Sequence, residues 1–530
     1  MKLDLLITGA DVHDGLGGDA KSVAVGVKGD RIAYVGEAPV APETAASEVI
    51  DAPGRMLCPG FIDTHASTGL GYMLPNAGDN KLFQGVTTEI SGNCGTSSAP
   101  IGPLLEDTMR KLADEIGFTF SWLGLGEWFG QVEAYGLPFN VGTYIGHSTL
   151  RAGRVRDHQQ VGDGEIAQMA DDLDRSLREG ALGLSTGLVY APGSFATTDE
   201  IVELAQVTAR NGGIYVSHVR DERQELEASI EEAIEIGRRA QLPVLVSHLK
   251  AAERPNWGKL PRVTRRIDEA RAEGAEILFE VYPYTAVSTK LRTFIPKKSL
   301  ERGVSGMVEW LKTDSGRAES SRWLVDRGTD FDAMVMIGES IPGARNVSIG
   351  DLGKRHGKAP EQMAVDLLLA DPDAWIVYHC LSEDDLDHAV AWGQAVICSD
   401  SWSHPVNAPN QFGDPHPRTF GAFTRFLERW PLAGRMPMGE AIRRMTSLPA
   451  DTLRLPDIGR IQEGAVADLV LLDPERVREK ATYEDPRQYS EGTDGVWVSG
   501  VRMLADGAVG DAMPGRLIRR GGVDGGPPRE

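Results

Sequence analysis

Short apolar runs alternate with amphipathic stretches through the middle of the chain. The run Pro243-Val-Leu-Val-Ser247 is apolar up to its last residue, which is typical of a buried strand. Stretches such as 165–178 and 226–240 repeat apolar residues at helical spacing. This alternation predicts parallel βαβ units, and about eight of them close a (β/α)₈ TIM barrel. The strand-like runs are 139–145, 181–185, 213–217, 243–247, 276–280, 375–378 and 395–398.

Both ends of the chain have a different pattern, which is rich in short strands. Residues 23–36 place two β-rich runs around Lys28-Gly29-Asp30, and this predicts a hairpin. The runs 464–473 and 495–501 have the same character. We expect one small β-sandwich domain built from both termini, although two unrelated edge hairpins would give the same pattern.

The predicted fold class is therefore α/β, with the barrel over residues 59–455 and the small β domain formed by 1–58 and 456–515. A barrel needs roughly 250 residues, so the middle must hold an insertion. We place it at about 289–372, where it would form a lid over the barrel mouth. The Gly- and Pro-rich end, 516–530, is expected to be a flexible tail.

Composition narrows the range of partners. The 530 residues carry 55 Lys and Arg against 77 Asp and Glu, a net charge of −22, which argues against a general binder of nucleic acid or anionic membrane. No stretch approaches the roughly 18 apolar residues of a membrane span. Four cysteines do not make a disulfide framework, and the start of the chain resembles a strand rather than a signal peptide. We expect a cytoplasmic protein with reduced thiols.

Candidate metal-binding side chains follow the predicted strands. His65 and Cys94 lie 29 residues apart, and His218 and His248 lie 30 apart after two parallel Val-Ser-His endings. These spacings match one βα repeat each, and the carboxyl ends of barrel strands converge on one face. Two imidazoles, a thiolate and the carboxylate of Asp400 are zinc-ligand chemistry, although each of these residues alone could simply be packed in the core.

Seven motifs together resemble the N-acyl-D-amino-acid deacylases (D-aminoacylases) of the amidohydrolase superfamily. The resemblance implies a zinc-bearing barrel that hydrolyses an N-acyl-D-amino acid to a carboxylate and a D-amino acid. It spans nearly the whole chain, to about residue 515. The motifs are Pro59-Gly-Phe-Ile-Asp-Thr-His65, Gln84-Gly-Val-Thr-Thr88, Gly92-Asn-Cys-Gly95, Gly183-Leu-Ser-Thr-Gly-Leu188, Ser247-His-Leu-Lys250, Tyr282-Pro-Tyr-Thr285 and His416-Pro-Arg418.

The resemblance also implies a ligand set, from which this chain departs at one position. The tightly held zinc would lie on Cys94, His218 and His248. A second, weaker site in the family uses a His-x-His motif and the aspartate that matches Asp400, but here the motif reads His65-Ala66-Ser67. Because a neutral hydroxyl is a poor zinc ligand, we predict one zinc ion and no competent second site.

Roles for the remaining residues follow from charge and from the resemblance. Bound zinc would acidify a water molecule or polarise the amide oxygen. Asp400 is the candidate general base and would return its proton to the leaving amine, while His65 would orient Asp400 or bind the oxyanion. The resemblance implies a clamp on the substrate carboxylate, which suits cations and hydroxyls, although the cations could instead form rim salt bridges. The clamp residues are Lys250, Tyr282, Ser288 and Arg418.

Alternatives stay open at this stage. A relative that opens a cyclic amide or cleaves a small dipeptide would use the same zinc chemistry. A non-catalytic scaffold is favoured by Ser67 but disfavoured by the intact set of Cys94, His218, His248 and Asp400. His147 and His379 are candidates for supporting roles around the site, and Cys58, Cys380 and Cys398 are expected to be buried thiols. The expected partner is a small-molecule substrate. Its acyl group and side chain are open, as is the oligomeric state, with a homo-oligomer as one option.

Overall fold

The computed structural model describes residues 2–115, 119–155, 161–407 and 413–520. In this part of the chain, no helix combines the length and apolarity needed to cross a bilayer. The strands are β1 (Leu3–Thr8), β2 (Asp11–Val12), β3 (Lys21–Ser22), β4 (Ala24–Lys28), β5 (Arg31–Gly36), β6 (Ala46–Asp51), β7 (Met56–Pro59), β8 (Phe61–Asp63), β9 (Val86–Ser91), β10 (Asn140–Thr143), β11 (Ile145–Gly146), β12 (Gly183–Gly187), β13 (Ile214–His218), β14 (Val244–Val246), β15 (Ile277–Val281), β16 (Val287–Lys290), β17 (Met334–Met336), β18 (Trp375–Tyr378), β19 (Ala395–Ile397), β20 (Leu469–Leu472), β21 (Thr493–Val498), β22 (Val501–Ala505) and β23 (Ala508–Val509).

Helices occupy much of the chain between the strands, so the fold has mixed α/β content. The α-helices are α1 (Pro42–Ala45), α2 (Asp79–Leu82), α3 (Glu106–Glu115), α4 (Leu125–Tyr135), α5 (His147–Arg154), α6 (Asp163–Glu179), α7 (Thr198–Arg210), α8 (Leu226–Ala240), α9 (Leu260–Ala272), α10 (Gly303–Leu311), α11 (Asp314–Asp326), α12 (Ile349–His356), α13 (Pro360–Ala370), α14 (Glu383–Ala391), α15 (Arg418–Arg429), α16 (Met438–Met445) and α17 (Ser447–Thr452).

Strands from the two ends of the chain lie in the same sheet. A seven-stranded sheet has the order β23-β22-β21-β20-β7-β2-β3, and a four-stranded sheet has the order β5-β4-β1-β6. The predicted hairpin around Lys28-Gly29-Asp30 is present as β4 and β5. One apolar cluster joins the two sheets, with Leu5 and Val27 from the smaller sheet packed among Leu57, Leu469 and Trp497 from the larger one.

The middle of the chain builds two parallel sheets. One has the order β10-β9-β8 and the other β11-β12-β13-β14-β15-β19, with every neighbouring pair parallel. Helices α7, α8 and α9 connect successive strands from β12 to β15, as βαβ units require. The run 139–145, predicted as one strand, is instead divided into β10 and β11, because its first half pairs with β9 and its second half with β12.

A separate unit lies between β15 and β19. Strands β16, β18 and β17 form an antiparallel sheet, and helices α10 to α13 share a second apolar core with it that includes Met307, Leu324 and Leu368. The prediction that 375–378 is a strand of the parallel set is therefore wrong. This strand, β18, is buried on both faces, so its apolar run gave no indication of the direction in which it pairs.

The segment 516–520 is ordered, which corrects the prediction of a flexible tail from residue 516. The amide of Val141 donates to the carbonyl of Arg516 at 2.9 Å, and the amide of Ile518 donates back to the carbonyl of Val141 at 2.7 Å. Leu517 and Ile518 are buried. Burial of these two apolar side chains beside β10 explains the order. The remainder of the predicted tail, 521–530, lies outside the described residues.

Candidate metal centre

The predicted metal-binding side chains stand at the carboxyl ends of parallel strands. His218 is the last residue of β13, and His65, Cys94, His248 and Asp400 follow β8, β9, β14 and β19 within three residues. Cys94, His248 and Asp400 all have positive φ, of 51°, 34° and 50°. This left-handed backbone is costly for residues other than glycine and is concentrated at functional sites.

The chain around Cys94 is held by a close contact with the neighbouring strand. A Cβ atom added at Gly187, the last residue of β12, would lie 2.2 Å from the carbonyl oxygen of Cys94. Only glycine therefore lets β12 approach the turn that carries the thiol.

The thiol of Cys94 is surrounded by three imidazoles. Its Sγ lies 3.3 Å from Nε2 of His65, 3.5 Å from Nδ1 of His218 and 3.4 Å from Nε2 of His248. Oδ1 of Asp400 lies 3.5 Å from Nε2 of His65. The structure thus brings together all five residues. One sulfur and several imidazole nitrogens form a donor set that fits zinc.

Nearby charges and burial favour the metal-binding protonation states of two members of this cluster, Cys94 and His218. Burial raises the pKa of the Cys94 thiol, but the positive charges of His65 and His248 outweigh it and lower that pKa to about 7. Burial lowers the pKa of His218 to about 4, so its imidazole is neutral near pH 7. A thiolate and neutral imidazoles are the forms that bind metal.

Glu280 belongs to the site and was not predicted. Its Oε2 lies 2.6 Å from Nδ1 of His65, and both side chains are fully buried. Burial lowers the pKa of His65, but Cys94 and Glu280 raise it well above its ordinary value. The sequence did hold a signal, since Glu280 is an acid within the otherwise apolar strand β15.

A buried ion pair supports the strand ends beneath this cluster and was also not predicted. Nζ of Lys81 lies 2.5 Å from Oδ2 of Asp63 and 3.1 Å from Oε2 of Glu89. Oδ1 of Asp63 accepts the amide of Ser399, at 3.0 Å. Because Ser399 precedes Asp400, this hydrogen bond ties the end of β19 to the end of β8.

The four residues of the predicted carboxylate clamp lie beside the cluster. One terminal nitrogen of Arg418 lies 2.7 Å from Oδ2 of Asp400, and the guanidinium is 4.7 Å from the centre of the Tyr282 ring. Nζ of Lys250 is 5.4 Å from the same ring. The hydroxyls of Tyr282 and Ser288 are buried and have no hydrogen-bond partner among the described residues, so they are available to a ligand. The clamp lines one small cavity with Cys94, His218, His248 and Asp400.

The other residues considered from the sequence lie elsewhere. Nε2 of His147 lies 2.9 Å from Oε1 of Glu200, and the ring of His379 packs against Tyr483. All four cysteines are free, and those other than Cys94 are buried: Cys58, Cys380 and Cys398.

A larger cavity, of about 610 Å³, adjoins the cluster. Ser67, Cys94 and Asp400 line it from the strand ends, while Lys297 and Trp323 line it from the unit between β15 and β19. The inserted unit therefore forms part of the wall of the site.

Known proteins are similar to this chain over almost its whole length. The amidohydrolase family model matches residues 48–335 and 401–503. N-acyl-D-glutamate deacylase from Alcaligenes xylosoxydans xylosoxydans is 33% identical over 521 residues, which cover 98% of this chain and 97% of that protein. The chain is a member of the N-acyl-D-amino-acid deacylase family of the amidohydrolases.

Solved structures of this family superimpose closely on the chain. The N-acyl-D-glutamate deacylase from Bordetella bronchiseptica, complexed with zinc and a phosphonate mimic of the tetrahedral intermediate, matches at a TM-score of 0.83 and 31% identity, covering 98% of this chain and all of that one. A D-aminoacylase matches at 0.82 and 29% over the same shares, and its binuclear metal centre shows one-metal activation and second-metal attenuation. The fold of these relatives, and the zinc bound in one of them, agree with the family that the sequence motifs predict.

Proposed function

We propose that this chain hydrolyses the amide bond of N-acyl-D-amino acids, giving a carboxylate and a D-amino acid. One observation carries the proposal: a thiol within 3.5 Å of three imidazoles lies beside an ionised aspartate and a cationic clamp. Membership of the deacylase family supports the same reaction. The free thiols favour a reducing compartment, and we place the enzyme in the cytoplasm.

The two parallel sheets are proposed to form one closed (β/α)₈ barrel. The strands would run β8-β9-β10-β12-β13-β14-β15-β19, with β11 continuing β10 and pairing with β12. Two contacts support closure: the amide of Leu182 donates to the carbonyl of Thr143, and Ala66 pairs in parallel with Ser401. The barrel would span 59–455 with the unit from β16 to β18 as its insertion, and the sheets of 1–58 and 456–515 would form the β-sandwich domain.

One zinc ion is proposed to bind Cys94, His218 and His248. Bound there, it would supply a Lewis acid that polarises the scissile carbonyl and lowers the pKa of water. The related D-aminoacylase has a binuclear centre, but Ser67 here stands in place of a family histidine. We therefore propose that the second ion is absent from this enzyme.

Asp400 is proposed to act as the general base. Burial raises its pKa, but Arg418 and the neighbouring histidines outweigh that and hold the pKa well below its ordinary value. The ionised carboxylate would take a proton from the attacking water and return it to the leaving nitrogen. His65, held at Nδ1 by Glu280, would hold Oδ1 of Asp400 from its other nitrogen.

The substrate carboxylate is proposed to bind the clamp. Arg418 can pair with a carboxylate through two nitrogens, and Lys250 adds a point charge. The hydroxyls of Tyr282 and Ser288, which no described residue binds, would complete the remaining hydrogen bonds. In a chain of net charge −22, these two cations supply the positive charge that recognition of a carboxylate needs.

A substrate panel tests the proposal. N-acetyl-D-amino acids, their L-enantiomers, hydantoins and dipeptides would be incubated with the enzyme before and after chelation, with products measured by mass spectrometry. We expect turnover of the D-enantiomers that chelation abolishes and zinc restores. Turnover confined to hydantoins or dipeptides would identify a cyclic amidase or a dipeptidase. Zinc binding with no turnover of any substrate would identify a scaffold.

A further inference from the structure

Glu222 lies behind the two histidines that are proposed to bind zinc. It follows β13 in the loop His218-Val-Arg-Asp-Glu222 and is mostly buried. Its Oε1 lies 3.3 Å from Nδ1 of His248 and 3.8 Å from Nε2 of His218. These are the ring nitrogens that face away from the thiol of Cys94. One carboxylate thus faces the outer side of both imidazoles.

The direction of the rings fixes which nitrogen must carry the proton. If Nδ1 of His218 and Nε2 of His248 hold a metal, each ring is neutral and its proton sits on the outer nitrogen. In the part of the chain that the structure describes, Nε2 of His218 has no hydrogen-bond partner. Its distance of 3.8 Å from Oε1 of Glu222 allows electrostatic attraction but is too long for a direct hydrogen bond. Nδ1 of His248 is closer, and its N–H can donate a hydrogen bond to Oε1 of Glu222.

Lys250 competes for the same nitrogen. Its Nζ lies 2.7 Å from Nδ1 of His248 and 2.6 Å from Oε1 of Glu222. An ammonium group has three donors and no acceptor, so it can donate to Nδ1 only when the proton of His248 is on Nε2, the nitrogen facing the thiol. Metal binding by His248 therefore requires Lys250 to give up Nδ1, and Glu222 remains as the anchor of the ammonium.

We propose that Glu222 is a positioning residue that sets the metal-binding tautomer of His248, favours that of His218, and holds Lys250 for the substrate carboxylate. The inference rests on the proposed function, because it assumes that zinc binds Cys94, His218 and His248. It couples the two halves of the site: one carboxylate oxygen supports both the metal ligands and the carboxylate clamp.

Zinc affinity measured by chelator competition, without substrate, tests the inference. We expect Glu222→Met, which has similar length and no acceptor, to lower zinc affinity by about 10–100-fold. Glu222→Gln keeps one amide oxygen and should fall between Met and the parent. Glu225→Gln removes an exposed acid of the same loop and is the matched control. Circular dichroism checks that each variant is folded.

Lys250→Met separates positioning from simple damage to the site. Because it frees Nδ1 of His248, zinc affinity should be equal to or above that of the parent, while KM rises and kcat changes less. Zinc affinity unchanged in Glu222→Met, or lowered as much by Lys250→Met, would overturn the inference and leave the proposed function standing. A parent protein that binds no zinc would overturn both.

Discussion

The guanidinium of Arg418 lies 2.7 Å from the carboxylate of Asp400, inside the cavity that also holds the thiol of Cys94. A residue proposed to bind substrate is therefore paired with the residue proposed to move the proton. The carboxylate of an N-acyl amino acid would share this guanidinium with Asp400, which places the scissile amide next to the base.

Loss of Arg418 should weaken binding of the substrate carboxylate. Arg418→Met is expected to raise KM for N-acyl-D-amino acids by about 10–100-fold, since a hydrogen bond to a charged group is worth roughly 1.5–3 kcal/mol. Steady-state kinetics on matched substrates, the acid and its primary amide, measure this. The effect should be much smaller for the amide. An equal rise in KM for the acid and the amide would mean that Arg418 acts only on Asp400 and does not bind the substrate carboxylate.

Loss of the Asp400 carboxylate should prevent the proton transfer without releasing the bound zinc. Asp400→Asn is expected to lower kcat by about 10²–10⁴-fold, the usual contribution of general acid–base catalysis. Zinc content, measured on the same preparation, should be unchanged. Turnover close to that of the parent would remove Asp400 from the proposed mechanism.

The metal-free thiol should ionise near neutral pH. The thiolate is the reactive form, and the pKa of Cys94 is lowered to about 7 because His65 and His248 outweigh the effect of burial. The rate of alkylation by iodoacetamide should therefore rise as pH increases through 7 and level off above it, and zinc should protect the thiol. Burial raises the pKa of Cys58, Cys380 and Cys398, so peptide mapping should find label on Cys94 alone. A rate that rises only near the ordinary thiol pKa of 9.0 would contradict this.

Restoring the family histidine should restore the second ion. Ser67 faces the large cavity at the end of β8, so Ser67→His supplies an imidazole near His65 and Asp400. We expect the zinc content to rise from one ion to two, and excess zinc to inhibit the variant more than the parent. Thr96→His adds an imidazole to the same cavity and should leave the content at one. If the zinc content of Ser67→His also stays at one ion per chain, the absence of a histidine at position 67 does not explain the absence of a second ion.

The site residues could be predicted because the βα unit of a parallel fold repeats along the sequence, and each repeat brings a strand end to the same face. Strand–helix periodicity places the ends of β8, β9, β13, β14 and β19 together, so His65, Cys94, His218, His248 and Asp400 were recognisable as a group. Glu222 and Glu280 were missed for a physical reason. Each of them contacts the ring nitrogen of a histidine that faces away from Cys94. Sequence spacing does not show which ring nitrogen faces away.

Two features of the fold show a similar limit. The apolar run of β18 indicates a buried strand, but pairing direction depends on partners, β16 and β17, that lie more than 30 residues away along the chain. Leu517 and Ile518 stand just before a Gly-rich end, and their burial beside β10 depends on a contact with Val141. Local composition could not show either contact.

The zinc content of protein purified without chelator tests the central claim most directly. Inductively coupled plasma mass spectrometry of the parent should give about one zinc per chain, held by the thiolate and two imidazoles, and Cys94→Ser should lose most of it together with turnover. Two tightly bound ions in the parent, or full turnover in protein without metal, would contradict the account.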